Sequence, residues 1–319
     1  MAGDSNWRPA ASLEALRGRA RLLQGLRAWM DAEGFLEIEA PLLSRAGSPE
    51  LHLDSLHVPR AFPDGAPGWL GTSPEFHLKR LLAAGAGSIY SVSRVFRAAE
   101  AGRLHNPEFT LVEWYRVEGT YAQLMSDIEG LLSHLLPSRL LAAAPERITY
   151  REAFLRHAGL DPFTVATAEL QRHCGTGGES DRDTLLDRIA GFEVYPNLGR
   201  GRVSLVNDFP ASQASLARIR RGEPDLAERV EAIVDGVELV NGFVELVDAD
   251  EQRRRFEADI AVRREQGRDC PELDERCLAA LEAGLPDCAG AAMGFDRVSM
   301  LALGVTSLAE VQAFPQDRA

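Results

Sequence analysis

The sequence predicts an α+β protein that forms a single compact domain over residues 1–319. Three observations support this prediction: a helical pattern near the N-terminus, strong strand segments further along the chain, and no internal repeat, low-complexity tract or linker. The composition agrees with it, because 45% hydrophobic and 26% charged residues lie inside the range of globular proteins.

The N-terminal part of the chain predicts a helix, a strand and a loop. Apolar residues recur at helical spacing over 13–33, where Ser12 is a candidate N-cap and Gly34 follows the last turn. The segment FLEIEAP predicts a short strand that ends at Pro41. Frequent glycine and proline over 44–71 predict a loop with little regular structure.

A second helix is expected to begin at Pro74, as its first residue, with caps offered by the two residues before it. Residues 89–96 and 109–117 predict two strands, and the polar stretch between them permits an antiparallel pair with a long loop. Residues 120–190 are expected to be mainly helical, and 203–209 predict another strand.

Charge and composition exclude several classes of function. The formal net charge of −13 disfavours a protein that binds nucleic acid through a broad basic surface. No apolar run approaches the roughly 20 residues needed to cross a bilayer, and no signal peptide is visible, so a soluble cytoplasmic protein is expected. The four cysteines form no Cys-x-x-Cys pair, which disfavours a disulfide framework or a zinc site.

The segment over 227–246 predicts a hairpin that carries two carboxylates. Asp-Gly between two β-branched runs is a strong signal for a two-residue turn. In that register Val234 pairs with Val237, and Glu231 and Glu238 become diagonal neighbours on one face, at roughly 7 Å. Two carboxylates that close repel each other unless a cation or protons intervene, and Mg²⁺ would suit the pair.

A β-bulge between 238 and 241 would bring Asn241 and Glu245 to the face that carries Glu238. Gly242 would let a ligand approach the backbone closely. The alternative is a two-stranded ribbon with solvated glutamates on its outer face, and the segment alone leaves both interpretations open.

Arginines at two separate turns suggest phosphate binding. Arg97 ends one predicted strand, and Arg297 follows a run of small residues that leads into a helix, where the backbone permits close approach. Glu113 lies on a core-like face of its strand and therefore needs a partner. That partner is either a cationic ligand or an internal arginine, and spacing alone favours the arginine. No Walker loop or G-x-G-x-x-G motif is present, so nucleotide triphosphate chemistry of another kind is indicated.

These segments, in this order, resemble the catalytic domain of class II aminoacyl-tRNA synthetases of the lysyl type. FLEIEAPLL resembles motif 1, RVFRAAEAGRLHNPEFTLVEWY motif 2 and GAAMGFDRVSMLALG motif 3, while TSPEFHLKRLL and VELVNGFVEL resemble the amino-acid and metal segments. The resemblance implies an antiparallel sheet flanked by helices, and its start near residue 12 leaves no room for an N-terminal anticodon-binding domain. DRDTLL, FPASQASLA and GLPDCAGAAMGFDRVSMLALG narrow the similarity to the elongation factor P–lysine ligase family.

This resemblance implies ATP-dependent, AMP-forming activation of (R)-β-lysine and its transfer to a lysine side chain of elongation factor P. It also implies Mg²⁺ as cofactor and a homodimer formed around Pro41. The absence of an anticodon-binding domain and the net charge of −13 both count against tRNA as the acceptor. The residues that it implies for catalysis are Arg97, Glu238 and Arg297, and Mg²⁺ would be bound by Glu231 and Glu238. The residues that it implies for ATP are Arg97, Glu100, Arg103, His105, Asn106, Phe109, Glu238, Leu239, Gly294 and Arg297. The residues that it implies for the amino acid are Ser73, Pro74, Glu75, Glu113, Tyr115, Asn241 and Glu245.

One departure from the family pattern affects motif 2. Many lysyl-type enzymes have Arg-x-Glu, whereas this chain has Ala99 at the third position and Glu100 one place later. We expect Glu100 to substitute for the missing carboxylate through a shifted loop. Two alternatives remain: a truncated synthetase that acts on tRNA or another amine acceptor, and a catalytically silent regulatory paralogue, which only Ala99 supports.

Overall fold

The computed structural model describes residues 7–176, 181–222 and 224–319. The chain divides into two compact units. The first contains the residues up to Glu118 together with Val247–Cys288 and Ala292–Ala319, and the second contains Gly119–Leu246 and Ala289–Ala291. The prediction of a single domain over the whole chain stays a prediction.

The first unit combines helices with two small sheets. In one sheet β5 pairs in parallel with β1 and antiparallel with β6; in the other, β4 pairs antiparallel with β2 and β3. Its elements are α1 (Leu13–Ala32), β1 (Leu36–Glu37), β2 (Leu43–Ser44), β3 (Leu56–Val58), β4 (Gly68–Leu70), α2 (Glu75–Ala83), β5 (Ile89–Phe96), β6 (Glu108–Val117), α7 (Ala249–Glu265), α8 (Glu275–Gly284) and α9 (Phe295–Leu303).

The predicted boundaries of the first unit are confirmed at α1, β5 and β6. The Ser12 side chain accepts a hydrogen bond from the backbone N–H of Ala15, as an N-cap does. The expected loop over 44–71 is wrong in part, because β3 and β4 lie inside it. Each of these strands has three residues, too few for an alternating pattern to be visible in the sequence.

The start of α2 differs by one residue from the prediction. Pro74 occupies the N-cap position rather than the first helical position. The Ser73 hydroxyl accepts a hydrogen bond from the backbone N–H of Glu75 at 2.9 Å. The first turn of α2 is therefore tied to the side chain of Ser73, which places Ser73 and Glu75 side by side.

The second unit contains a mostly antiparallel sheet in the order β11-β10-β8-β7, with β9 also paired to β10. A buried apolar cluster joins this sheet to α4, α5 and α6. Its elements are α3 (Tyr121–Leu135), β7 (Glu146–Thr149), α4 (Tyr150–His157), α5 (Thr167–Cys174), α6 (Arg182–Ile189), β8 (Ser204–Pro210), β9 (Ile219–Arg220), β10 (Leu226–Val234) and β11 (Val237–Val244). A twelfth strand, β12 (Cys288–Gly294), has residues in both units.

The hairpin of β10 and β11 turns where the sequence predicts. Asp235 and Gly236 both have positive φ, 49° and 76°, as a two-residue turn of this hand requires. Val234 pairs with Val237, which confirms the predicted register next to the turn. A regular two-residue hairpin in this register would pair Glu231 with Val240, but Glu231 pairs with Asn241 instead.

The reason for this shift is a β-bulge. Ile233 pairs with Glu238 and Ala232 with Val240, so that Leu239 is the extra residue of β11. The bulge therefore lies between 238 and 241, where the sequence analysis considered one. Since cross-strand partners share a face, Glu231, Glu238 and Asn241 all lie on one face of the hairpin.

Gly242 serves the packing of the chain rather than the approach of a ligand. A Cβ atom built at Gly242 would lie 2.7 Å from the Cβ of Ala291 and 2.9 Å from the carbonyl oxygen of Gly290. Both neighbours belong to the same unit as Gly242. The glycine therefore lets two backbones of this unit approach each other.

None of the helices in the described residues combines the length and apolar composition that crossing a membrane would need.

The close approach at Gly242 predicts that Gly242→Ala lowers the free energy of unfolding by about 1–3 kcal/mol, because the backbone neighbour cannot rotate away. Gly191→Ala is the control, since a Cβ there meets nothing within 4 Å. Urea unfolding of both variants measures the difference. Equal stability of the two variants would contradict this account of Gly242.

Candidate active site

The structure places the predicted site residues in two groups, one within each unit. The group in the first unit comprises Ser73, Pro74, Glu75, Arg97, Glu100, Arg103, His105, Asn106, Phe109, Glu113, Tyr115, Gly294 and Arg297. The group in the second unit comprises Glu231, Glu238, Leu239, Asn241 and Glu245.

Glu113 is the centre of a buried polar cluster in the first unit. Its carboxylate, on β6, is 3% exposed and accepts hydrogen bonds from the hydroxyls of Ser73 and Tyr115, each at 2.6 Å. The expectation of an internal arginine partner for Glu113 is wrong. Hydroxyl groups replace it, because α2 begins beside β6 and brings Ser73 to the carboxylate.

Burial, followed by the charge of Glu75, raises the pKa of Glu113 to about 8. Glu75 itself lies 2.7 Å from the ammonium nitrogen of Lys79, one helical turn further along α2. Lys79 is almost completely buried. The cluster thus holds two carboxylates and one ammonium, an arrangement that a second, ligand-borne ammonium would complete electrostatically.

Arg97 lies just beyond β5, at the start of the loop that the motif 2 segment forms. Its guanidinium carbon is 5.1 Å from the centre of the Phe109 ring. Its Nε atom is buried and has no hydrogen-bond partner among the residues that the structure describes. A buried donor of this kind is costly unless a ligand accepts from it, which suits an anionic group.

The motif 2 loop brings Glu100 towards Arg97. The Arg97 Nη1 atom lies 3.9 Å from the Glu100 Oε1 atom, at the limit of an ion pair. Between them Ala99 has a φ of 62°, which a residue with a side chain rarely adopts. This left-handed residue bends the loop so that a carboxylate at position 100 reaches the arginine, which is consistent with the expected substitution of Glu100.

Arg297, in the first turn of α9, is oriented by the same loop. Its Nε donates to the Leu104 carbonyl oxygen at 3.3 Å, and its Nη2 lies 2.8 Å from His105 Nε2. Arg103 donates to the Thr306 carbonyl oxygen at 3.0 Å. Arg297 is thus linked to His105, and Arg103 to the C-terminal part of the chain.

Asn106 has a structural role in this loop. Its Nδ2 donates to the Glu108 carbonyl oxygen at 2.6 Å, and its Oδ1 accepts from the Gln316 backbone N–H at 3.0 Å. Its polar atoms are therefore engaged with the backbone at the start of β6 and in the C-terminal segment. Gly294 is the N-cap residue of α9, and a Cβ there would make only ordinary contacts with Arg297.

In the second unit Glu231 is held by two partners. Its Oε1 accepts from the Arg229 guanidinium and its Oε2 from the Tyr195 hydroxyl, both at 2.5 Å. Glu231 is 4% exposed, and burial raises its pKa to about 7, with the Arg229 charge opposing the shift and the Glu238 charge adding to it. The repulsion between the two glutamates that the sequence predicts is therefore present.

Arg229 also fixes the amide of Asn241. Its Nε donates to Asn241 Oδ1 at 3.2 Å, and its Nη1 donates to the Gln213 carbonyl oxygen at 3.0 Å. Because an arginine has only donors, the oxygen of this amide must face Arg229, and the Nδ2 donor points elsewhere. The side chain of Asn241 is half-buried, so it can donate to a ligand that offers an acceptor.

The two remaining polar residues of this group differ in exposure. Glu238 is half-buried, and the carboxylate of Glu245 is almost completely buried, at 1% exposure. Leu239 is also buried, because the bulge turns it into the core. The described residues contain no group of three or more His, Cys, Asp or Glu side chains placed around one metal ion. Two carboxylates are nevertheless what Mg²⁺ takes from a protein when phosphates complete its coordination.

The sequence reasoning missed three residues of these clusters: Lys79, Tyr195 and Arg229. Arg229 could have been found, since it lies two residues before Glu231 on one strand and therefore on the same face. Lys79 follows Glu75 by one helical turn, which is also a visible signal. Tyr195 lies 36 residues from Glu231 and carries no local signal, so only the tertiary structure could bring it to the carboxylate.

Comparison with known families shows the class of protein to which the chain belongs. The family model described as tRNA synthetases class II (D, K and N) matches residues 6–318. The chain therefore belongs to the class II tRNA synthetase family, and the predicted α+β catalytic fold of that class is confirmed.

Within this family the chain is similar to elongation factor P–(R)-β-lysine ligases from several bacteria. The protein of that name from Yersinia enterocolitica is 43% identical over 329 residues, which span 100% of both chains. The one from Pectobacterium carotovorum is 43% identical over 331 residues, again 100% of both. The one from Vibrio cholerae is 44% identical over 326 residues, 99% of each. The predicted resemblance to this group of ligases is thereby confirmed.

The raised pKa of Glu113 predicts how one substitution changes stability with pH. At neutral pH Glu113 keeps its proton in the folded chain, whereas the unfolded chain releases it. The free energy of unfolding of the parent therefore falls as the pH rises from about 5 to 8. Glu113→Gln should therefore gain stability relative to the parent by about 1.4 kcal/mol per pH unit in that window. Urea unfolding at several pH values measures this, with Glu108→Gln, an exposed neighbour on the same strand, as control. A difference that does not change with pH would contradict the protonated state of Glu113.

The contacts of Arg229 predict that even a substitution that keeps its positive charge lowers the free energy of unfolding. Arg229→Lys keeps the positive charge but cannot contact Glu231, Asn241 and the Gln213 carbonyl at once. Unfolding in urea should show a loss of about 1–3 kcal/mol. Arg218→Lys is the matched control, because Arg218 forms a single partly exposed pair with Glu228 and should lose less than about 1 kcal/mol. A similar decrease in the free energy of unfolding in both variants would show that the simultaneous contacts of the Arg229 guanidinium do not matter for stability.

Proposed function

We propose that this protein activates (R)-β-lysine with ATP and transfers it to a lysine side chain of elongation factor P, releasing AMP. The observation that carries the proposal is the buried cluster of Glu113, Ser73 and Tyr115 beside Glu75, in a chain similar over its full length to ligases of that name. A buried carboxylate held only by hydroxyls suits a ligand that brings its own ammonium.

In this proposal the diamino acid is bound by carboxylates at its amines and by Asn241 at its carboxylate. The candidate acceptors are Glu75 and Glu113 in the first unit and Glu245 in the second, and Ser73, Pro74 and Tyr115 are the other candidate residues of the first unit. A ligand without the second amine would leave Glu113 with hydroxyl partners alone, which favours lysine-type substrates. The orientation of Asn241 supports its role, because Arg229 leaves the Nδ2 donor for the substrate.

ATP would be bound by the residues around the motif 2 loop. Phe109 and Arg297 would hold the adenine between them, by stacking and cation–π attraction. Arg97 would contact the α-phosphate, and its buried Nε donor supports this role. Arg103 and His105 would approach the γ-phosphate, while Asn106 would shape the loop. Glu100 would support Arg97, and Leu239 and Gly294 would line the site.

Mg²⁺ is the cofactor of the proposed reaction, with Glu231 and Glu238 as its ligands. Two carboxylates on one face of a hairpin, one of them buried, provide the hard oxygen donors that this ion prefers. When bound, the ion offsets negative charge on the phosphates. Arg229 and Tyr195 would hold Glu231 in a single orientation, as partners of a ligating carboxylate do.

The chemistry consists of two displacements. The carboxylate of β-lysine attacks the α-phosphorus of ATP and pyrophosphate leaves, while Arg97 stabilises the charge that grows on the phosphoryl oxygens. The acceptor amine then attacks the carbonyl carbon of the mixed anhydride, and AMP leaves. Positioning, rather than a covalent intermediate on the protein, accounts for the rate.

The proposal includes a place of action and an assembly. A protein that modifies a translation factor would act in the cytoplasm. A homodimer formed around Pro41 is supported by the exposure of Leu36 and Leu42, at 54% and 42%, which a partner would cover. Sedimentation analysis of the purified chain at several concentrations measures the assembly. A monomer at every concentration would contradict it.

The decisive experiment is ATP–pyrophosphate exchange with Mg²⁺ and separate amino acids, followed by transfer to purified elongation factor P. We expect (R)-β-lysine to support the strongest exchange and one β-lysyl group to appear on the acceptor by mass spectrometry. Transfer to tRNA in place of the protein would overturn the proposed acceptor. No exchange with any amino acid would overturn the activity and favour a catalytically silent paralogue.

Glu238→Gln should reduce exchange by about a hundredfold or more, because one of two metal ligands loses its charge. Circular dichroism and urea unfolding should show an intact fold. Glu282→Gln, at an exposed position on α8 outside the predicted site, should keep normal exchange. Normal exchange in Glu238→Gln would remove this residue from the metal site.

If Glu100 replaces the carboxylate absent at Ala99, Glu100→Gln should raise the KM for ATP about threefold to tenfold. The effect is modest because the ion pair between Glu100 and Arg97 is partly exposed to solvent. Glu108→Gln is the control, because its pair with Arg94 is at the surface. Equal KM values in both variants would mean that Glu100 has no such role.

A further inference from the structure

The positive charge of this chain is carried almost entirely by arginine. The sequence contains 34 arginines and a single lysine, Lys79. The two side chains differ in a way that matters for acyl transfer: an amine with a free electron pair attacks a mixed anhydride, whereas a guanidinium does not lose its proton in proteins. An exposed lysine, with an ordinary pKa near 10.4, has roughly a few free amines per thousand at pH 8, enough to react with an activated acyl group.

The one lysine is withheld from such a reaction by its place in the fold. The side chain of Lys79 is 2% exposed, on the face of α2 that packs into the first unit. Its Nζ lies 2.7 Å from Glu75 Oε1. An ammonium in this ion pair has no electron pair to donate, and the burial keeps a bulky acyl donor from reaching the nitrogen.

We infer that the chain is built so that its own activated product finds no lysine acceptor on it, which directs the acyl group to the partner protein. This inference rests on the proposed function. In the side reaction that is avoided, an enzyme amine would attack the carbonyl carbon of the acyl adenylate. A C–N bond would form, the bond from that carbon to the phosphate oxygen would break, AMP would leave with the electron pair, and the amine proton would go to solvent.

The position of Lys79 makes its protection important. Its partner Glu75 belongs to the proposed amino-acid site. The only lysine of the chain therefore contacts a residue that is proposed to bind the substrate. A reactive amine there would compete with the acceptor at the highest local concentration of adenylate. Arginine at the other cationic positions preserves ion pairs, such as Arg94–Glu108 and Arg221–Asp225, without offering a nucleophile.

The test is self-modification of the complete chain with ATP, Mg²⁺ and (R)-β-lysine, without elongation factor P. We expect no β-lysyl amide on Lys79 of the parent after many turnovers of pyrophosphate exchange. Arg94→Lys and Arg221→Lys, whose side chains are 50% and 78% exposed, should each gain up to one β-lysyl group per chain at the new lysine. Arg94→Gln and Arg221→Gln are the matched controls, which lose the charge without gaining an amine.

Peptide mapping separates a side-chain amide from acylation of the α-amine, and hydroxylamine removes any thioester formed at the exposed Cys270. A β-lysyl amide on Lys79 of the folded parent would overturn the protection by burial. Unmodified lysines in both Arg→Lys variants, at normal pyrophosphate exchange, would overturn the role of arginine.

A second measurement does not depend on the proposed function. The N-hydroxysuccinimide ester of acetic acid acylates accessible lysines without any enzyme activity. We expect it to leave Lys79 unmodified in the folded chain, to modify it in urea, and to modify the new lysine of each Arg→Lys variant in the folded state. Acetylation of Lys79 in the folded chain would overturn the inference, whether or not β-lysine supports exchange. Absence of exchange with β-lysine would by itself refute only the proposed activity.

Discussion

The burial of glutamate carboxylates is the constraint on which both clusters of this protein depend. Removing an ionised carboxylate from water costs several kcal/mol unless partners compensate it. Glu113 and Glu231 are 3% and 4% exposed, and each has two hydrogen-bond donors at its oxygens. The surrounding elements are arranged to supply those donors: the start of α2 for Glu113, and the segment that carries Tyr195 for Glu231.

The two carboxylates are compensated by different chemistry, and this difference suits different ligands. Ser73 and Tyr115 hydroxyls donate or accept, so they tolerate both protonation states of Glu113 and allow it to ionise when a ligand-borne ammonium binds beside it. Arg229 is a permanent cation, and it holds Glu231 in one orientation while it fixes the amide of Asn241. The first arrangement is suited to selecting an amine, and the second to positioning a carboxylate and an amide together.

The same distinction between cations extends over the whole chain. Wherever a permanent positive charge stabilises the fold, as at Arg229 or at the buried Arg263, the residue is arginine. The only side-chain amine is that of Lys79, and it is buried against Glu75. For a protein whose proposed product reacts with amines, the choice of cation affects the fate of the product as well as the stability of the fold.

The sequence by itself determined the elements whose signals are local. The Ser12 cap, the strands β5 and β6 and the Asp235–Gly236 turn all follow from backbone preferences and side-chain alternation over a few residues. The motifs also indicated the family. Only the tertiary structure decided the partners of the buried carboxylates: hydroxyls for Glu113 in place of the expected arginine, and Tyr195 for Glu231. The physical reason is that a desolvated charge is satisfied by whichever donor the packing brings within hydrogen-bond distance, and that distance has no counterpart in sequence separation.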